Sequence, residues 1–413
     1  MNPGRLVIVD GVRTPFCRIG AGLAGTDAVE LGRTAVAALL ARTGIDPARV
    51  DEVILGCVGQ PADAANIARV IARRAGVPEA VPATTVQRNC ASGLEAITAA
   101  AEKLAAGQGE VFIVGGTESM SHMPLMYCAN AAAKFSRFAR ARSLGAKCRA
   151  ALSFRPRDFA PRAALRLGLT DPICDLNMGQ TAEVLAREFG ISRRAQDDWA
   201  LASHQRAVAA RDKIAGEIVP VHLRNGTIKS VARDEGPREG QTSEALARLR
   251  PAFDRRHGTV TPGNASQLTD GAVALLVMSE RKADALELRP LGRLLGHAHT
   301  GCDPRRMGLG PVPAIKRCQE RLGLDPARAD LIEINEAFAA QVLAVLRTLP
   351  GLPRDCINVN GGAIALGHPV GATGARLVLT ALKELRRRAG RRALVTLCVG
   401  GGQGSAAWLE GML

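Results

Sequence analysis

One octapeptide frame occurs twice in this chain, near opposite ends. Gly44-Ile45-Asp46-Pro47-Ala48-Arg49-Val50-Asp51 and Gly323-Leu324-Asp325-Pro326-Ala327-Arg328-Ala329-Asp330 agree at six of eight positions. Each follows an alanine- and leucine-rich helical stretch and precedes an apolar run, Val53-Ile54-Leu55 or Leu331-Ile332-Glu333-Ile334. The glycine suits a helix stop, and Asp-Pro suits a cap with proline in the first turn. A second pair follows in the same order. Ala91-Ser92-Gly93 opens a helical stretch leading to Gly107 and the run Val111–Gly116, while Ala372-Thr373-Gly374 opens one leading to Gly390 and Leu394–Gly400. Two matches in one order argue a duplication, so the chain is expected to fold as two similar halves.

Apolar runs alternating with helical stretches of roughly 10 to 15 residues read as βαβ units with mostly buried sheets. The fold class expected is α/β, two duplicated βαβαβ-type halves, and 413 residues exceed one ordinary domain. Residues 1–122 with 250–278 form the first half, 123–249 an inserted loop domain, and 279–413 the second half. Aromatics make up only 3%, so the core must rest on Ala, Val, Leu and Ile.

No apolar run approaches the roughly 18 residues a spanning helix needs. Leu6–Val9, ending at Asp10, is too short for a signal-peptide core and reads as a first strand. A cytoplasmic protein is expected. The ten cysteines form no C-x-x-C pair, which indicates neither zinc site nor disulfide framework; most are expected to be buried small hydrophobes. The net charge of +15 points to anionic partners: nucleic acid, a membrane surface or a phosphate-bearing ligand.

Four segments carry chemistry. Arg88-Asn89-Cys90-Ala91-Ser92-Gly93-Leu94-Glu95-Ala96 places a cysteine at a strand-to-helix turn. The helix dipole and free N–H groups there favour thiolate and a lowered pKa, as a nucleophile requires; a buried structural cysteine is the alternative. In Asn360-Gly361-Gly362-Ala363-Ile364-Ala365-Leu366-Gly367-His368-Pro369-Val370-Gly371-Ala372-Thr373-Gly374, His368 precedes the helix that the repeat makes equivalent to the one behind Cys90. A pseudo-twofold would bring the two residues to one cleft. No G-x-x-x-x-G-K-[ST] pattern supports the competing phosphate loop. Thr396-Leu397-Cys398-Val399-Gly400-Gly401-Gly402-Gln403-Gly404 empties a strand into glycines and offers a second thiol for acid/base work, or simply a core cysteine. Asn335-Glu336-Ala337-Phe338-Ala339 ends a strand with an amide and a carboxylate, either an oxyanion donor or a helix cap with a first-turn acid.

Together these segments resemble the thiolase superfamily over nearly the whole chain. The patterns C-A-S-G-L-x-A, N-E-A-F-A, G-G-A-I-A-x-G-H-P-x-G-A-[ST]-G and C-x-G-G-G-x-G stand in that family's order and spacing. The resemblance implies a layered α-β-α-β-α core and a cysteine acyltransferase that uses no metal or redox cofactor, with coenzyme A as a substrate. By this resemblance Cys90 is the acyl-accepting nucleophile, His368 activates it and Cys398 is the acid/base. Asn335, through a held water and with His368, makes one oxyanion site; the N–H groups of Cys90 and Gly400 make the other. Gly258-Thr259-Val260-Thr261-Pro262-Gly263-Asn264-Ala265-Ser266 resembles a pantetheine-contacting turn, with Ser266 as hydrogen-bond partner and Leu268 as a further contact. Met178, Met307 and Phe338 resemble pocket residues, and Arg238 a basic residue near the nucleotide. Pro262 stands where a small residue is usual, and Asn177 where a His is usual. Asn-Glu-Ala-Phe at the strand end disfavours the related ketosynthases, which carry a second histidine there.

The resemblance implies a homodimer or homotetramer. The leading expectation is thiolytic cleavage of medium- or long-chain 3-ketoacyl-CoA in fatty-acid β-oxidation. A biosynthetic acetyl-CoA C-acetyltransferase and a non-catalytic CoA-binding subunit are the alternatives; the last predicts loss of a catalytic residue, and none is lost.

Between Ala131 and Gly168 lie Lys134, Arg137, Arg140, Arg142, Lys147, Arg149, Arg155, Arg157, Arg162 and Arg166 with one acid, Asp158, supplying nine of the fifteen net charges. Phe135, Phe138, Phe154 and Phe159 are interleaved. This pattern suits an anionic membrane surface or an acidic partner such as a fatty-acid oxidation subunit. No recognition motif supports nucleic acid. A solvated arginine-rich loop is the plainer alternative.

Overall fold

The computed structural model describes residues 4–225 and 227–412. A ten-stranded sheet organises them. Its main strands are β1 (Leu6–Arg13), β2 (Glu52–Gly56), β3 (Ala83–Val86), β4 (Val111–Glu118), β5 (Thr269–Ser279), β6 (Gly292–Gly301), β7 (Leu331–Ile334), β8 (Arg392–Val399) and β9 (Gln403–Gly411). They run in the order β7-β8-β9-β6-β1-β5-β4-β2-β3, and Cys17–Arg18 adds a short strand on β5. The order is nearly palindromic. On one side β2 pairs parallel with β3 and β4; on the other β7 pairs parallel with β8 and, by a single bridge, with Ile357. The halves join where Val7 and Ile8 of β1 pair with Arg293 and Gly292 of β6.

The duplication extends to individual hydrogen bonds. Helix α1 (Ala28–Thr43) stops at Gly44, and α4 (Pro311–Leu322) at Gly323, both glycines at φ 64. Asp46 then accepts from Ala48 N at 2.9 Å, and Asp325 from Ala327 N at 3.0 Å. The closing aspartates also match: Asp51 receives the Val111 N–H that starts β4, and Asp330 the Arg392 N–H that starts β8.

Helices α2 (Ser92–Ala105) and α5 (Val370–Arg388) form the middle layer, and one apolar core joins both to the inner faces of the two half-sheets. Outside, α1 packs on the first half and α4 on the second, each with its own core. The layers are therefore α-β-α-β-α. The two central helices touch backbone to backbone at equivalent glycines. A Cβ on Gly93 would lie 2.8 Å from Ala375 N, and one on Gly374 would press still closer on Leu94 N. The contact is reciprocal, as a pseudo-twofold requires.

Some local expectations need correction. The first strand does not end at Asp10 but continues to Arg13, past a register irregularity between Ile8 and Asp10. Four of the ten cysteines are buried (Cys17, Cys57, Cys318 and Cys398), not most of them, and Cys148 is exposed. Many of the others lie in loops or in the basic segment, where little core exists to cover them.

Within that segment Ala129–Arg140 and Leu144–Leu152 are helices. Asp158 is buried and paired with Lys134 at 2.6 Å. Phe135 packs on Phe154 and Tyr127 with ring centroids 4.8 and 5.1 Å apart, and Phe154 stacks on Phe159 at 5.4 Å. These rings make a small cluster of their own. Leu144 and Leu152, by contrast, stand 80% and 85% exposed. Among the described residues no helix is long and apolar enough to cross a membrane.

Candidate active site

Cys90 lies in the tight connection from β3 to α2. Asn89 takes a left-handed φ of 42, a conformation asparagine tolerates better than most residues. Ser92 fastens the turn: its Oγ accepts from Arg88 N at 2.9 Å and donates to Asn89 O at 2.7 Å. The N–H groups of Gly400 and of Cys90 itself favour a thiolate at the Cys90 sulfur, yet burial outweighs both and raises the thiol above its ordinary pKa. The expected lowering by the helix end is thus reversed. Removing the thiolate from water costs more than two backbone donors return.

His368 precedes α5 by two residues. Its Nδ1 lies 2.6 Å from Thr373 Oγ1, whose hydroxyl proton goes to Pro369 O at 2.9 Å. The threonine oxygen must therefore accept, which puts the imidazole proton on Nδ1 and leaves Nε2 as a lone-pair base. Nε2 faces Asn335 Nδ2 at 3.4 Å. Burial, assisted by Arg376, pushes His368 down to about 4, so the ring is neutral at pH 7.

A linkage effect follows. The unfolded chain binds a proton at this ring near the ordinary histidine value, while the folded protein resists until about pH 4. The stability contributed by the neutral ring is full above that ordinary value and is lost as pH falls toward 4. Between pH 7 and 4.5 it should fall by on the order of 2 kcal/mol. Urea midpoints at the two pH values should therefore draw closer together in His368→Gln than in the parent; equal differences would refute the assignment.

Asn335 directly follows β7. It is not a helix cap, because the next helix begins at Ala339 and is capped by Phe338. Its Oδ1 is buried without a protein partner, as an atom aimed at a bound water or ligand would be. Glu336 turns the other way. It accepts from Trp199 Nε1, Ser203 Oγ, Asn358 Nδ2 and Ile364 N, a structural hub. Cys398 is the penultimate residue of β8, and burial, with Cys90 and Cys302 nearby, holds its thiol well above the ordinary value.

These elements converge on one cavity of about 670 Å³, bordered by Cys90, His368 and Cys398. Met178, Met307, Phe338 and Leu268 supply apolar wall, and Ser266 and Arg238 polar wall. Asn335 is not on the wall itself and meets the site through His368, while Gly400 meets it through its N–H at Cys90. The two departures from pattern, Asn177 and Pro262, also face the cavity. Asn177 is occupied as the cap of α3 (Met178–Glu188), accepting from Gly179 N at 3.0 Å.

Sequence reading missed several supports of this arrangement. Thr373 sets the histidine tautomer. Glu118, buried at the end of β4, accepts from Gly371 N and Gly59 N at 2.8 Å each and ties α5 to the first half. Arg18 borders the cavity from a short strand with no sequence signature. Glu118 had a signal as a lone acid closing an otherwise apolar strand, and Thr373 stood at the Ser/Thr position of the glycine-rich motif with no role assigned to it.

The chain matches two family models, described as the thiolase N-terminal domain over residues 6–281 and the thiolase C-terminal domain over residues 288–411. Curated relatives include the acetyl-CoA acetyltransferase of Allochromatium vinosum, 42% identical over 98% of this chain and 99% of the relative. A β-ketoadipyl-CoA thiolase of Escherichia coli is 45% identical, covering 98% of each. Among solved structures, the Bacillus anthracis acetyl-CoA acetyltransferase superposes with a TM-score of 0.90 at 40% identity, over 99% of each chain. The human mitochondrial 3-ketoacyl-CoA thiolase in complex with CoA gives 0.88 at 38%, over 100% of this chain and 99% of that one.

Proposed function

This chain belongs to the thiolase family and is an acyltransferase, and from that premise we propose that it moves acyl groups between CoA thioesters through an acyl-Cys90 intermediate. The observation that carries the reading is the meeting of Cys90, His368 and Cys398 on one cavity. In the cleavage direction Cys90 gives its proton to His368 Nε2 as sulfur attacks the 3-keto carbon. The N–H groups of Cys90 and Gly400 hold the resulting oxyanion. The C2–C3 bond then breaks. Asn335, a bound water and the His368 side of the cavity receive the enolate oxygen of the departing acetyl-CoA, and the Cys398 thiol protonates its carbon. A second CoA thiol gives its proton to the Cys398 thiolate and takes the acyl group, and the Cys90 sulfur regains its proton from His368. Both thiols and the imidazole rest neutral, so charge appears only as the substrate reacts, where the backbone donors stabilise it.

Ser266, Leu268 and Arg238 hold the pantetheine and nucleotide ends of CoA, and Met178, Met307 and Phe338 wall the acyl group. No metal or redox group enters this cycle. We place the substrate among short 3-ketoacyl-CoA thioesters rather than the fatty-acid chains first expected, because relatives at 42–45% identity are acetyl-CoA acetyltransferases and β-ketoadipyl-CoA thiolases. A carboxylated chain is the second reading, favoured by those ketoadipyl relatives and by Arg18 beside the cavity. Turnover of acetoacetyl-CoA and 3-ketoadipyl-CoA should each be compared with 3-ketohexadecanoyl-CoA. At least one short substrate should lead in kcat/KM by about tenfold or more. Preference for the sixteen-carbon chain would return the enzyme to fatty-acid degradation. The reading further places a homo-oligomer in the cytoplasm, with the basic segment 131–168 on its surface as the face offered to an acidic partner subunit or an anionic membrane.

A further inference from the structure

The peptide group joining Gly400 to Gly401 is held at both poles. Its carbonyl accepts from Asn89 Nδ2 at 2.9 Å, and its N–H donates to Asp171 Oδ2 at 3.1 Å. A peptide group is planar, so holding both poles fixes the plane. With β8 fixing the chain on one side and this plane on the other, the Gly400 N–H is held where it favours a thiolate on Cys90. The glycines themselves impose no such direction. Gly401 and Gly402 sit at φ 88 and 74, and three consecutive glycines have wide backbone freedom.

Asp171 is itself firmly placed. The residue is buried, and its Oδ1 accepts from Ile173 N at 2.8 Å and Cys174 N at 3.3 Å. It stands 230 residues from Gly401, on the segment that leads from the basic insertion into α3. Met178 N donates to Leu169 O at 2.9 Å, and both residues border the cavity, so this segment is pinned to the wall.

We propose that Asp171 and Asn89 are positioning residues that clamp the Gly400–Gly401 peptide and thereby aim the Gly400 N–H at the acyl oxygen carried on Cys90. Asp171 is then the inserted segment's contribution to acyl transfer. The inference rests on Cys90 as the acyl carrier.

Asp171→Ala releases one pole, whereas Asp171→Asn keeps an accepting oxygen. Asn89→Gly releases the other pole and still tolerates the left-handed turn. Loss of a whole oxyanion donor costs on the order of 10²–10³ in rate, so a loosened one should slow single-turnover acetylation of Cys90 by acetyl-CoA at least about tenfold in Asp171→Ala and Asn89→Gly. Asp171→Asn should stay within about threefold of the parent, and KM for CoA within about twofold in every variant. The pH profile of Cys90 alkylation by iodoacetamide should move upward in Asp171→Ala and Asn89→Gly, because the sulfur loses a donor that favours thiolate. A merely structural role would leave that profile in place. Acetylation at the parent rate in both released variants, or an unmoved alkylation profile, overturns the clamp. Should Asp171→Ala not fold, Asn89→Gly decides by the same two readouts. A parent enzyme never acetylated on Cys90 would instead sink the functional reading beneath it.

Discussion

Cys90→Ala should lower CoA-dependent cleavage of acetoacetyl-CoA by on the order of 10⁴-fold or more, with the protein still folded. The second thiol is poorly placed to rescue it. Cys398 is buried and its thiol is held well above the ordinary value, with both Cys90 and Cys302 adding to the burial effect. It also lacks the Gly400 N–H, which goes to Cys90. Mass spectrometry after incubation with acetyl-CoA should find an acetylated peptide containing residue 90 in the parent and none in the variant. Acetyl-enzyme formed on Cys398 at a comparable rate would overturn the assignment of roles.

The second large effect is expected from Gly374→Val. The Cβ would meet Leu94 backbone, which cannot swing aside as a side chain does. Helices α2 and α5 must part or tilt, and overpacking of this kind costs about 3 kcal/mol or more. The displacement also separates the helix that follows Cys90 from the one that follows His368. Misplacement by an ångström forfeits on the order of 10²-fold in rate. Thermal or urea unfolding together with kcat on acetoacetyl-CoA checks both halves of the expectation. A variant of parental stability and rate would mean the glycine contact is not what sets the spacing.

The fold was legible largely because the duplication preserved turn chemistry. Gly44 and Gly323, Asp46 and Asp325, and Asp51 and Asp330 repeat the same local bonds, and local bonds are what short motifs encode. Cys90, His368 and Cys398 stood out as candidates because each lies near a strand end or helix start, but position alone left a core cysteine open and only the resemblance of the four segments together implied their roles. Asp171 was not, since its meaning depends on Gly401, far away in the chain. Neither was the direction of the Cys90 shift. A helix end is visible in sequence, but the desolvation that outweighs it belongs to the assembled cavity. The phenylalanines of the basic segment read as membrane-facing by spacing, whereas three of them spend part of their surface on one another.

The reciprocal glycine contact between the central helices also bears on how the chain comes to be active. One half brings the sulfur and the other brings the imidazole, so on the proposed mechanism neither half alone holds both the nucleophile and its base. On that mechanism a chain whose second half has not yet docked should be silent toward thioesters. Acylation of Cys90 should then begin only once the two halves have packed, and its onset during refolding would mark that docking more sharply than any signal from secondary structure.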